Sequence, residues 1–307
     1  MPAARPQAFL ALALACLFWS GNWIAGRALR DDLDPVALNF WRWVIAVVVL
    51  APFALPALLG QWGAIRRRAG VLLLLALTGV AVFQSLVYLG LRSTTAVNGV
   101  LLNSSGPLFI LLCSWALERE RATLRQVAGM LLSFAGILVI LSRGELENVI
   151  RFRFGIGDAW LLLAMAVWGV YSVLLRRRPP ELSGTGFLFV ISAMGVLLLA
   201  PLYGLLALQS PPRWPGKEAA LGVLYMGLAA SVLAFICWNR GVAVLGANTA
   251  GFTLHLLPAF GTVLAILFLG ESFHGFHAAG IATIVAGVLI ATLAPKSGAV
   301  SGERQQN

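Results

Sequence analysis

The stretch NSSGPLFILLCSWALERE (residues 103–120) sets a proline inside an apolar run and closes the run with a glutamate thirteen residues later. A second stretch, LHLLPAFGTVLAILFLGE (residues 254–271), does the same, with Pro258 and Glu271 each 151 positions after Pro107 and Glu120. A helical proline removes a backbone donor and strands the carbonyl four residues earlier, here those of Asn103 and Leu254. In hydrocarbon a stranded carbonyl is costly, so such breaks persist where protein, water or a cavity satisfies them. Paired breaks at matching places in two halves point to a binding site. The plainer alternative is a packing kink.

The echo runs the length of the chain. At an offset of 151, Gly90 meets Gly241, Phe109 meets Phe260, Gly129 meets Gly280 and Gly136 meets Gly287; at 149, Trp19 meets Trp168 and Leu50 to Pro52 meets Leu199 to Pro201. Two copies of five spans are implied, over residues 1–148 and 149–307. Five is odd, so the second copy enters the bilayer from the opposite face, as alternating access requires. The polar segment 143–156 reads as the linker between copies, and the tail 297–307 as disordered.

Composition agrees. Of 307 residues 60% are hydrophobic and only 11% charged, with a mean hydropathy of +0.88; this is too little charge to cover a soluble globule. Apolar runs at 8–29, 35–59, 70–91, 94–117, 124–142, 157–177, 185–208, 217–239, 245–270 and 275–295 are each long enough to cross a membrane. The fold class is thus an all-α membrane protein, ten helices in two inverted repeats around a central cavity. The first run is longer than the apolar core of a signal peptide and reads as a span. Cys16, Cys113 and Cys237 lie inside spans as small apolar fillers, so no disulfide or metal site is expected.

The net charge of +10 reflects topology, not nucleic-acid binding. The side holding the N-terminus carries thirteen bases against four acids, the other side eight against eight. Both termini are therefore expected in the cytoplasm, with the chain in a bacterial inner (plasma) membrane.

The polar and aromatic residues group by helical face. Asn98, Leu102, Ser105 and Phe109 share a stripe of the fourth span, and Thr249, Thr253, Leu256 and Phe260 share one of the ninth. The first span offers Trp19, Asn22 and Trp23, the sixth Trp168, Tyr171 and Ser172, the third Gln84 and Tyr88, and the eighth Ser231 and Trp238. Rings interleaved with amides and hydroxyls suit a partly apolar solute. The two stripes hold no Lys or Arg.

Among ionisable residues, Arg42 reads as a snorkelling or paired structural side chain ahead of a gating or substrate contact. His255 reads as a neutral, hydrogen-bonded histidine ahead of a direct role. Glu120 and Glu271 are expected to pair with loop arginines or cap helices, and Asp158 to be an N-cap. The glycine pairs of the fifth and tenth spans read as scaffold or subunit interface.

WSGNWIAGR in the first span, Pro35 and Arg42 in the second, and the paired GPLFILLCSWALERE and LPAFGTVLAILFLGE patterns resemble the EamA family of the drug/metabolite transporter superfamily over about residues 8–295. One departure is Arg119, where the family pattern has glycine before the glutamate. The resemblance implies a basket of ten helices with a chamber lined by spans 1, 3, 4, 6, 8 and 9, and a function in exporting metabolites such as amino acids, aromatic ones included.

The expected function is a secondary transporter for small neutral or zwitterionic metabolites. Its partners are a small-molecule solute and membrane lipid, with a monomer or weak homodimer as the expected state and no cofactor. The alternatives are a sugar-phosphate or nucleotide-sugar exchanger, whose ligands demand cationic side chains, and a lipid-modifying membrane enzyme, for which no paired carboxylates or metal-ligand spacing are visible. A passive channel is the remaining class.

Overall fold

The computed structural model describes residues 4–29, 32–58, 60–94, 96–142, 154–209, 216–269 and 272–292. Most of the expected linker, the tail 297–307 and Glu271 lie outside the described residues. Among the described residues, ten helices are long and apolar enough to cross a membrane: spans 1 (Ala4–Gly26), 2 (Pro35–Leu58), 3 (Ala69–Ser93), 4 (Asn98–Glu118), 5 (Leu124–Leu141), 6 (Ile156–Arg177), 7 (Gly184–Gln209), 8 (Lys217–Leu245), 9 (Ala247–Leu267) and 10 (Gly275–Thr292).

The inverted repeat is visible in who packs against whom. Span 1 lies against spans 8 and 9, and span 6 against spans 3 and 4, the same relations with the copies exchanged. Equivalent helices also pair directly: span 2 with span 7, and span 5 with span 10. The last pair explains the glycines. A Cβ on Gly129 would sit 2.6 Å from the Gly287 carbonyl oxygen, and one on Gly136 would sit 2.7 Å from that of Gly280. Only bare Cα atoms let the two backbones approach this closely. The glycine faces are thus used within the chain.

Both prolines follow their breaks. Span 4 stops at Asn103 and restarts at Gly106, while span 9 stops at Thr253 and restarts at Leu256. Pro107 and Pro258 therefore sit in the first turn of a new helix, where a missing N–H costs nothing. The Leu254 carbonyl, expected to be stranded, instead accepts from the Leu257 N–H at 3.0 Å, because the break is a tight three-residue turn. Other carbonyls at the second break are met by span 1: Cys16 Sγ donates to Thr253 O at 3.2 Å and Ser20 Oγ to Leu257 O at 3.0 Å.

Two π-helical segments interrupt spans 3 and 8, Leu77–Val82 and Met226–Leu233. They begin at the same 149-residue offset. Widened turns of this kind free carbonyls and concentrate at functional sites. Asn39 Nδ2 donates to Val80 O and Ala81 O at 3.0 and 3.1 Å, and Trp19 Nε1 donates to Ala230 O, the counterpart of Ala81, at 3.0 Å.

The departure at Arg119 has a structural consequence. Its φ of 57° is in the left-handed region, as the helix ending at Glu118 turns back through the Arg119 and Glu120 N–H groups. A side chain there costs about 1 kcal/mol. Arg119→Gly is accordingly expected to raise the melting temperature in detergent. Gly129→Leu forces spans 5 and 10 apart and is expected to lower stability by about 1–3 kcal/mol, whereas Gly70→Ala, which meets nothing within 4 Å, is the neutral control.

Candidate functional site

At the centre of the bundle the aromatic residues form one cluster. Trp19 and Trp168, equivalent in the two copies, meet edge to face with centroids 5.2 Å apart. Trp238 lies 5.5 Å from the first and 5.4 Å from the second. Phe83, Tyr171 and Phe235 close around Trp168 at 4.7, 5.1 and 5.7 Å. None of the three tryptophans exposes more than 6% of its surface. Residues that contact their own repeat-mates must straddle the pseudo-two-fold axis, so this cluster marks that axis. His255 does so again, its ring Nε2 lying 3.0 Å from the carbonyl of its repeat-mate Ser104. A carbonyl only accepts, so Nε2 carries the proton and Nδ1 faces the Ser133 hydroxyl.

A cavity of about 880 Å³ opens on one side of this cluster, at the end holding the N-terminus. Its walls include Arg5, Glu120, Arg121, Arg176, Arg178, Asn239, Asn248 and Thr249. This cavity wall is far more basic than the two uncharged stripes, of which only Thr249 lines it. Glu120 is held by Arg176, and Asn248 Nδ2 donates to Glu120 Oε2 at 3.3 Å. Arg177 grips Glu118 at 2.7 Å. Tyr171 donates its hydroxyl to Asn239 Oδ1 at 3.0 Å, which ties the cavity wall to the aromatic cluster.

On the far side of the cluster, polar contacts join spans 1, 2, 3 and 8. Arg42 is fully buried. It does not snorkel: Nε donates to Ser231 Oγ at 2.7 Å, and Nη1 donates to the Tyr88 hydroxyl at 2.6 Å and to Asn22 Oδ1 at 3.2 Å. The guanidinium also stacks on Trp43, 5.5 Å from the ring centroid. It is drawn inward because three polar acceptors from spans 1, 3 and 8 converge there, which sequence spacing alone could not reveal. Asp158 is the third residue of its helix and not the N-cap; its carboxylate accepts from Gly155 N at 2.7 Å, from Thr94 and from Asn98 Nδ2 at 3.2 Å.

The remaining candidates are placed as follows. Trp23 and Leu102 pack into a second apolar cluster with Tyr88 and Met165. Ser105 and Thr253 donate to carbonyls one turn back, Leu102 O and Ala250 O, at 2.6 Å each. Gln84 and Ser172 are buried, and Gln84 Oε1 and Ser172 Oγ have no hydrogen-bond partner among the described residues. Pro107 and Pro258 are buried at the restarts of spans 4 and 9. The π-helical segments and Asn239 were not anticipated; for Asn239 the available signal was its 151-residue offset from Tyr88.

The model for the EamA-like transporter family matches twice, over residues 7–142 and 155–293. The chain belongs to that family. Among EamA-like relatives, an uncharacterized transporter of Archaeoglobus fulgidus is 28% identical over 92% of this chain and 96% of its own length. A probable terminal-alkyne amino-acid exporter of Streptantibioticus cattleyicolor is 30% identical over 92% of this chain and 93% of its own. A solved crystal structure of a protein superposes with a TM-score of 0.71 at 25% identity, covering 95% of this chain and 97% of that one. The protein is thus an integral multi-pass membrane transporter.

Tyr171→Phe removes the bond to Asn239 and is expected to cost about 1 kcal/mol of stability, read as a lower melting temperature of the detergent-solubilised EamA-like protein. The exposed pair Arg177 and Glu118 should contribute little, so Arg177→Gln is expected to leave that temperature unchanged.

Proposed function

We propose that this chain exports amino acids and related small zwitterions, aromatic ones included, by alternating access across a bacterial plasma membrane, with both termini in the cytoplasm and the two copies over residues 1–148 and 149–307. The observation that carries the reading is the ring cluster at the pseudo-two-fold axis, with Trp19 against Trp168 at 5.2 Å. On one side of it lies an open cavity; on the other, the closed network of Arg42, Asn22, Tyr88 and Ser231. We read this as a conformer open at the end holding the N-terminus. Its mirror state follows from exchanging the roles of the two copies. The relative named a probable terminal-alkyne amino-acid exporter supports the solute class.

The mechanism is positional. Apolar parts of the solute replace ring–ring contacts of Trp168, each worth about 0.5–1.5 kcal/mol beyond burial, so the cluster opens at little net cost only when a solute takes its place. Spans 5 and 10, locked backbone to backbone, move least. The readings as a lipid-modifying enzyme or a passive channel gain nothing from this arrangement. The sugar-phosphate reading has one observation in its favour, the arginines Arg5, Arg121, Arg176 and Arg178 on the cavity wall. Positive-inside bias accounts for the same residues.

Purified protein in liposomes is expected to move labelled amino acids saturably, with phosphorylated sugars failing to compete. Trp168→Phe, which keeps a ring but loses reach, should lower the initial rate about tenfold, equivalent to about 1.4 kcal/mol, without loss of monodispersity. An unchanged rate would remove the cluster from the transport path. Reporter fusions at the two ends should both read cytoplasmic.

A further inference from the structure

Arg42 is a full charge with no exposed surface and no carboxylate within ion-pair distance among the described residues. Its hydrogen-bond partners, Ser231, Tyr88 and Asn22, are all neutral. One guanidinium nitrogen, Nη2, has no hydrogen-bond partner among the described residues. Burying a lone cation costs several kcal/mol even after relaxation, and neutral hydrogen bonds offset only part of that. A structural arginine is normally matched by an acid, and a snorkelling one reaches the boundary. Arg42 does neither.

The repeat sharpens the point. The Tyr88 hydroxyl donates to Asn22 Oδ1 at 3.1 Å, and the same bond recurs in the other copy between Tyr171 and Asn239 at 3.0 Å, with the residue types exchanged. Asn22 maps to Tyr171 at the 149-residue offset and Tyr88 to Asn239 at 151. The counterpart of Arg42 at 149 is Ile191, equally buried. The second copy thus builds the same tyrosine–asparagine bond with an isoleucine at this position. The tyrosine–asparagine bond therefore forms without a charge beside it.

We propose that Arg42 anchors the carboxylate of the transported solute, with Nη2 as the donor held for it and Tyr88, Asn22 and Ser231 positioning the guanidinium. This rests on the amino-acid reading above and adds to it the group recognised and the residue that recognises it. A single guanidinium with one free nitrogen matches the single charge of a carboxylate; a phosphate dianion calls for more cationic donors than this site holds. Gln84 lies one helical turn before Tyr88, and its unpaired Oε1 is a buried acceptor suited to the ammonium end of a zwitterion. Because only one copy carries the charge, the carboxylate keeps the same anchor whichever side is open, and the solute crosses with one orientation.

The test measures binding to detergent-solubilised full-length protein of the proteinogenic amino acids, each beside its carboxamide, together with 3-phenylpropionate, a carboxylate without an amine. Wild-type protein is expected to bind acids about ten- to a hundredfold more tightly than the matching amides, the span of one charge-assisted hydrogen bond. Arg42→Gln should bring that ratio near one, and Arg42→Lys should restore part of it. Should Arg42→Gln fail to fold, Ser231→Ala and Tyr88→Phe are expected to weaken acids while leaving amides unchanged. Equal binding of acid and amide by the wild type, or an undiminished ratio in Arg42→Gln, overturns the proposal. Liposome flux separates the two readings. Amino acids carried without acid–amide discrimination would sink the anchor and leave the exporter; Arg42-dependent binding of 3-phenylpropionate with no amino acid carried would do the reverse. Absence of any carboxylate binding would sink both.

Discussion

The contact between two copies of one helical unit at a shared axis governs this structure. Trp19 meets Trp168 and His255 meets Ser104, each residue touching its own repeat-mate. A surface that must fit an inverted version of itself can do so in two ways of equal kind, leaning to one side or the other. On the proposed alternating-access reading, that degeneracy is what would let the ten helices found among the described residues exchange between two states.

Backbone polarity is the constraint that the axis must satisfy. Each irregularity, whether a break in span 4 or 9 or a π-helical turn in span 3 or 8, exposes carbonyls at membrane depth, where water is scarce. Side chains from other helices meet them: Cys16 and Ser20 from span 1 at the span 9 break, His255 at the span 4 break, Asn39 and Trp19 at the two π-helical turns. Each of these bonds joins two different spans. They are single hydrogen bonds, of modest net strength, which holds the geometry without freezing it.

Charge breaks the symmetry that packing keeps. The tyrosine–asparagine bond is present in both copies, yet the guanidinium of Arg42 stands in one and Ile191 in the other. The basic cavity wall at the N-terminal end and the buried arginine beyond the rings give the pathway a polarity of its own. On the proposed reading, a symmetric scaffold allows two states and the asymmetric charge orients the solute within them.

The sequence by itself determined the ten spans, the duplication and its inversion, and the residues equivalent across it, because hydropathy and repeat offset are local or one-dimensional signals. Span ends fell within six residues for the same reason. Pro107 and Pro258 announced breaks whose position, three residues earlier, depended on which turn could pair its carbonyls. Only the tertiary structure decided that Arg42 turns inward, that Asp158 sits at the third position of its helix and holds Asn98, and that the glycines of spans 5 and 10 meet each other. A side chain's direction at mid-depth is set by acceptors on other helices, and three helices far apart in sequence converge on Arg42 through packing that no spacing along the chain encodes.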